Sequence, residues 1–362
     1  MANRIHRLLL PWAFLSIAYA PVKAEDAPKE KSSSLDQLEA SRIADAVRLD
    51  KQPKEIVAII PEKSGLTFAA VSGECKTLAI AHPSGSVRGW DLTGKEPKTV
   101  FLLKRSPMRL HFVALSYDGK RLASTSLPSG EEKKIDPFCL MVWALGEREP
   151  KPMILPQIPL PWSDLAFSPK DGILATYTAV PHSAQGFGFL DVSEEKPRIA
   201  AYISGPTGHL RFAPNGKTVA ISTSKTGNGG VQLYDWTVDA KAPRAIIDNE
   251  DHIGSFSFGH DSKTLAIQKD GLVEIWDVAT AKPNKRSSFK IAEAGGWMDF
   301  ARDGKRIAIT DPDKKTLAVY TAEGKKVHEW RLPAVPLNVI FSSDSRHLVV
   351  ACGNVYIFRL EP

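Results

Sequence analysis

Cysteine is scarce in this chain of 362 residues: it has Cys75, Cys139 and Cys352 and no others. An odd count excludes a framework in which every cysteine is bridged internally, and leaves at least one free thiol or an intermolecular bond. CxxC, HExxH and His-x-His spacings are missing, and the nine histidines are scattered, so no metal site and no cofactor is expected. The densest polar cluster, Asp248-Asn249-Glu250-Asp251-His252, has the groups to hold a cation, but a lone acidic loop is more often solvated surface. No Gly-x-Ser-x-Gly nucleophile elbow occurs. The apolar run over residues 8–20 is too short for a stable membrane span.

The start of the chain reads as a secretory signal. Arg4 and Arg7 precede the apolar run, and Val22-Lys23-Ala24 follows it as a small-x-small cleavage site, making residues 1–24 a signal peptide. An uncleaved N-terminal anchor is the alternative. Cleavage removes Arg4, Arg7 and Lys23 and no acid, so the net charge falls from +6 to +3. That is too little for an electrostatic mandate towards nucleic acid. Residues 25–53 form a polar tether. Within it Leu35, Leu38, Ile43, Ala46 and Val47 are spaced loosely like a short helix, and the other reading is an irregular segment.

The remainder is repetitive. Residues 256–278 read FSFGHDSKTLAIQKDGLVEIWDV. Period-two alternation predicts strands at 254–258, 263–268 and 272–278, with turns at His260-Asp261-Ser262 and Lys269-Asp270-Gly271. The first turn and second strand recur from Ser72, Ser116, Ser168, Ala213, Ala301 and Ser342, making seven copies. In six copies the third strand carries an aromatic at one matching position: Trp90, Trp143, Tyr234, Trp276, Tyr320 and Phe358, with Leu190 in the remaining copy. Trp90, Trp143 and Trp276 are assigned to the core.

Two markers recurring in one order, with Trp276-Asp277 closing a strand, resemble the WD40 family, and specifically exported bacterial WD40-type proteins. The resemblance covers nearly everything after residue 53. It departs from the family in its Gly-His dipeptides, of which Gly208-His209 is the lone candidate. It implies an all-β, seven-bladed β-propeller over residues 54–362, in one domain. Residues 55–60 form an apolar strand without a partner of their own, and the last copy ends after its third strand. An N-terminal strand pairing with the last blade would close the ring. Fourth strands are expected at 99–103, 152–155, 198–203, 244–247, 287–291 and 326–332.

Residues just before the innermost strands should ring the mouth of the central channel: Arg109, Trp162, His209, His252 and Trp297. Exposed Trp and Arg are favoured binding anchors; packing against the next blade is the competing reading for the tryptophans. Three long loops, at 127–137, 179–186 and 224–230, fall on the same face. The expectation is a non-catalytic, exported, monomeric scaffold, periplasmic or extracellular, that binds another protein or a peptide segment. A glycan or small-molecule binder is the first alternative, with Trp162 and Trp297 stacking on sugar rings. A propeller enzyme of the lactonase or quinone-dependent dehydrogenase type is the second; it would need carboxylates, His or Arg clustered on a central ligand.

Overall fold

The computed structural model describes residues 54–361, apart from 63–65, 67, 95, 104–108, 128–138, 147–149, 151, 157–163, 171, 179–185, 195, 206–207, 224–229, 239–240, 249–252, 270 and 292–294. The segments expected to be a signal peptide and a tether, and most of the three long loops and of the acidic cluster, fall outside those residues. Every element among the described residues is a strand. The strands form seven antiparallel sheets of four.

Six sheets take their strands in chain order. Blades are numbered here by their inner strands: Phe68–Val71, Arg109–Leu115, Leu165–Phe167, Leu210–Phe212, Ile253–Phe258, Met298–Phe300 and Asn338–Phe341 for blades 1 to 7. Each inner strand touches those of the two flanking blades, and the inner strand of blade 7 touches that of blade 1. The molecule is therefore a seven-bladed β-propeller. In blade 7 the outermost strand is Ile56–Ile60, antiparallel to Asn354–Arg359, with Ile60 opposite Val355 and Ile59 opposite Tyr356. The fourth strands of the other blades match the expected positions to within a few residues, for example Arg198–Ser204 and Lys326–Arg331.

The repeat has a physical basis in the first turn of each blade. In six blades the residue three places after the turn's first carbonyl lies in the left-handed region: Cys75, Gly119, Gly216, Ser262, Gly304 and Ser345, with φ between 55° and 71°. Its N–H closes the turn on that carbonyl, as in Gly119 N to Ser116 O at 2.9 Å. Glycine adopts this conformation without strain, which is why Asp-Gly and Asn-Gly recur here. The preceding Asp or Asn then accepts the N–H two residues on; Asp118, Asn215, Asp261, Asp303 and Asp344 all do so.

Packing explains the absence of clean alternation in the second strands. Thr218–Thr223 and Thr264–Lys269 are buried at nearly every position, because each blade is covered on both faces. The apolar clusters lie between blades. One joins Val231, Leu233 and Ile247 of blade 4 to Phe256, Leu265 and Ile267 of blade 5. Each such side chain removed from water contributes about 1.5–3 kcal/mol.

The third-strand aromatic has a structural counterpart. In blades 1, 3, 5 and 6 the pairing of third and fourth strands slips by a bulge, between Gly89 and Trp90, Phe189 and Leu190, Ile275 and Trp276, and Val319 and Tyr320. All three tryptophans expected in the core pack in or against an apolar cluster, but not equally deeply. Trp143 is buried, but Trp90 and Trp276 are only half-buried. At the bulge Trp276 turns its Nε1 to Glu274 Oε2 at 3.0 Å and takes the Lys285 ammonium over its ring at 5.8 Å.

Candidate binding site in the axial channel

The seven inner strands form the wall of the central channel. The residue before the last in each reads Ala70, Ala114, Ala166, Arg211, Ser257, Asp299 and Ile340. Small or apolar groups hold this position in most blades, and blades 4 and 6 place a charge there.

Arg211 is tied to the neighbouring blade. Its Nη1 lies 2.7 Å from Asp164 Oδ2 and also donates to Leu210 O. The same carboxylate oxygen accepts Leu210 N at 2.8 Å, and His209 Nδ1 lies 3.6 Å away. Burial alone would raise the pKa of Asp164. The Arg211 charge, His209 and the Leu210 N–H outweigh it and hold the carboxyl well below the usual range.

Asp299 has the opposite balance. It accepts Ser257 Oγ at 2.9 Å and Phe341 N at 2.8 Å, and so joins blades 5, 6 and 7. Burial dominates and raises its pKa, with Phe341, Ser257, Phe300 and the Arg211 charge offsetting only part.

The channel has two mouths. At the one reached from the outer strands, Trp297 of blade 6 meets His209 of blade 4 edge-on, with ring centroids 6.3 Å apart, and Phe68 of blade 1 at 6.1 Å. Phe68 in turn contacts Phe112 of blade 2 at 5.3 Å. Two of the expected mouth residues, His209 and Trp297, are thus brought together, both half-buried. Their backbones are held alike: His209 N donates to Ser222 Oγ at 2.8 Å and Trp297 N to Thr310 Oγ1 at 2.9 Å. Phe112 N and Thr125 Oγ1 repeat this link at the same spacing of 13 residues. Arg109 opens the inner strand of blade 2, opposite Leu127; its side chain, like Trp162 and His252, lies outside the described residues.

The mouth at the first turns holds a cavity of about 310 Å³ with residues from all seven blades in its lining. Arg302 of blade 6 reaches across it, donating Nη2 to Gly73 O at 2.7 Å and Nη1 to Tyr117 Oη at 2.9 Å. Sequence reasoning missed Asp164, Arg211, Asp299 and Arg302. The signal for two of them was present: aligned by repeat, Arg211 and Asp299 are the charged members of an otherwise small or apolar column.

Comparison with known structures agrees with this geometry. The fold is shared widely. The chain is similar to the β-propeller domain of Cps50 (Swd1) from Myceliophteria thermophila, with a TM-score of 0.66 and 14% identity over 84% of this chain and 99% of that one. It is also similar to a chain of the Mitotic Checkpoint Complex, with a TM-score of 0.64 and 15% identity over 88% and 98%. At such identities the likeness is one of fold. No protein-family model and no curated protein matches the chain. Among the described residues, no group of three His, Cys, Asp or Glu is placed to hold a metal ion, and no helix is long and apolar enough to cross a membrane.

Proposed function

We propose that this protein is a non-catalytic scaffold of the cell envelope, exported by residues 1–24, whose propeller binds a segment of another protein at the mouth formed by His209 and Trp297. The observation that carries the reading is the cross-channel cluster of Trp297, His209, Phe68 and Phe112, contributed by four blades. A half-buried tryptophan at the channel mouth has the large, rigid, amphipathic surface that binding anchors use. Asp164, 3.6 Å from His209 Nδ1, gives the site a polar group already fixed in place. The fold adds support of a general kind, since one similar chain belongs to the structure of the Mitotic Checkpoint Complex.

Site-specific photo-cross-linking in intact cells tests this. A photoreactive residue at position 209 should capture a discrete protein partner, identified by mass spectrometry. The same residue at Val238, on an exposed turn, should not. Trp297→Ala should abolish the adduct at 209 while leaving the melting temperature within a few degrees. An adduct pattern identical at 209 and 238 would reject the mouth as the binding site. A signal-sequence deletion that still reaches the envelope would reject the export assignment.

A further inference from the structure

The cavity at the first-turn mouth has chemistry that the scaffold reading does not use. We propose that it is a binding site for a small organic monocarboxylate with an apolar body, held by the guanidinium of Arg302 and seated against Phe167, Phe212 and Ile340.

The argument begins with Arg302. Its two terminal nitrogens are spent on neutral acceptors, the Gly73 carbonyl and the Tyr117 hydroxyl. Its guanidinium also lies 5.3 Å from the centre of the Tyr117 ring. Among the described residues no carboxylate pairs with it, and its Nε donates to nothing. A half-buried guanidinium with no carboxylate bonded to it is costly, and its planar fork matches a carboxylate. Arg211 lines the same cavity. Its Nη1 is committed to Asp164 and Leu210 O, while among the described residues its Nε and Nη2 donate to nothing. Arginines of blades 4 and 6, each with donors to spare, therefore line one cavity.

Charge selects a monoanion. Asp164 neutralises Arg211, which leaves Arg302 as the arginine of the lining that has no carboxylate bonded to it. Asp299 stands in the same wall with its oxygens committed to Ser257 and Phe341 N, and it forms no ion pair with either arginine. Each negative charge on the ligand adds repulsion from that carboxylate, so a monoanion is favoured over a phosphate dianion. The apolar body follows from the rest of the lining. Phe167, Phe212, Val71 and Ile340 are half-buried and line the cavity. A volume of about 310 Å³ lies at the small end of ligand pockets. Exposed His260 and half-buried Pro169 and Pro214 form the rim through which a ligand would enter.

The site lies at the opposite end of the inner strands from Trp297 and His209, so it stands or falls separately from the scaffold reading. Isothermal titration of the full chain with phenylacetate and hexanoate tests it, against phenylacetamide, inorganic phosphate and a short peptide ending in a free phenylalanine carboxylate. Phenylacetate or hexanoate should bind one to one, and phenylacetamide at least tenfold more weakly. Arg302→Gln should weaken the acid at least tenfold, and Trp297→Ala should leave it unchanged. Tighter binding of the peptide than of the free acids would keep the carboxylate site and assign its source to a chain end. Equal affinity for acid and amide, tighter binding of phosphate, or no heat from either acid with folded protein would overturn the proposal. The acid-to-amide comparison needs no variant, so it decides the matter even if Arg302→Gln fails to fold.

Discussion

Asp164 and Arg211 form an ion pair at 2.7 Å that fastens blade 3 to blade 4 at the channel wall, and Leu210 N adds a second bond to the same oxygen. Removing one partner leaves the other charge poorly solvated, which costs more than the pair itself supplies. Asp164→Asn should lower stability by about 2–3 kcal/mol, below the fully buried case because the Arg211 side chain keeps 31% of its surface exposed. The carboxyl is held below its ordinary pKa, so its contribution is complete above the unfolded value of about 4 and is lost as pH falls through the folded value. Urea denaturation at pH 7 and pH 3 should show the gap between wild type and variant narrowing in acid. A gap that does not depend on pH would mean that the loss is one of packing.

Asp299 predicts the reverse. Its pKa is raised, so the proton is bound more tightly in the folded state. Its stabilising contribution is present below the unfolded value and is lost as pH rises through the folded one. Asp299→Asn can keep both bonds, with its oxygen accepting Phe341 N and its amide donating to Ser257 Oγ. It should raise the melting temperature at pH 8 by about 2–4 °C, with the gain shrinking towards pH 4. A variant that is less stable at pH 8 would show that the negative charge serves the channel wall.

The cysteines give a chemical test of the packing. Cys75 and Cys352 are free thiols, and burial pushes both up to about 12. Since the thiolate is the reactive form, alkylation at pH 8 should run roughly a thousandfold more slowly than at an exposed cysteine. Iodoacetamide labelling followed by peptide mass spectrometry should find both unmodified in the native protein and modified in guanidinium. Rapid labelling of Cys75 would mean that the turn between Ser72 and Thr77, which carries it at φ 55°, opens readily.

The strands and turns were legible in the sequence for a physical reason. A left-handed residue after a polar one closes each first turn, and Asp118-Gly119, Asn215-Gly216 and Asp303-Gly304 advertise it directly. Cys75, Ser262 and Ser345 hold the same conformation without glycine, and were found only because the flanking strand pattern repeats. His209 and Trp297 were placed at one mouth by their position before the inner strands. That they touch was beyond the sequence, because the contact crosses the ring between blades 4 and 6. Arg302 was hidden more thoroughly. It sits in a turn where charged residues are ordinary, and its partners Gly73 and Tyr117 lie 229 and 185 residues away. Trp90 and Trp276 were placed too deep because an aromatic in a repeat looks like core, whereas each packs at the edge of its apolar cluster and is only partly buried.

The outermost strand of blade 7 gives the sharpest test of architecture. Ile56–Ile60 comes from the start of the described chain and pairs with Asn354–Arg359 near its end. Arg359 N donates to Glu55 O at 2.7 Å, and Glu62 N to Asn354 Oδ1 at 3.0 Å. Ile60, 1% exposed, packs with Val355 and Ile357 of its own blade and with Leu78 and Ile80 of blade 1. If this pairing closes the ring, its loss opens two blades at once, because neighbouring blades share their apolar clusters. Ile60→Ala should cost about 2–5 kcal/mol as a large-to-small change in a filled site. Deleting residues 54–61 should cost more, and should expose the edge of Asn354–Arg359 to association with other chains. Calorimetry and light scattering on the deleted chain provide the measurement. A lower, still single transition with increased association is the expected result. A monomer with unchanged melting would mean that blade 7 is complete with three strands and that the ring is held by its inner strands alone.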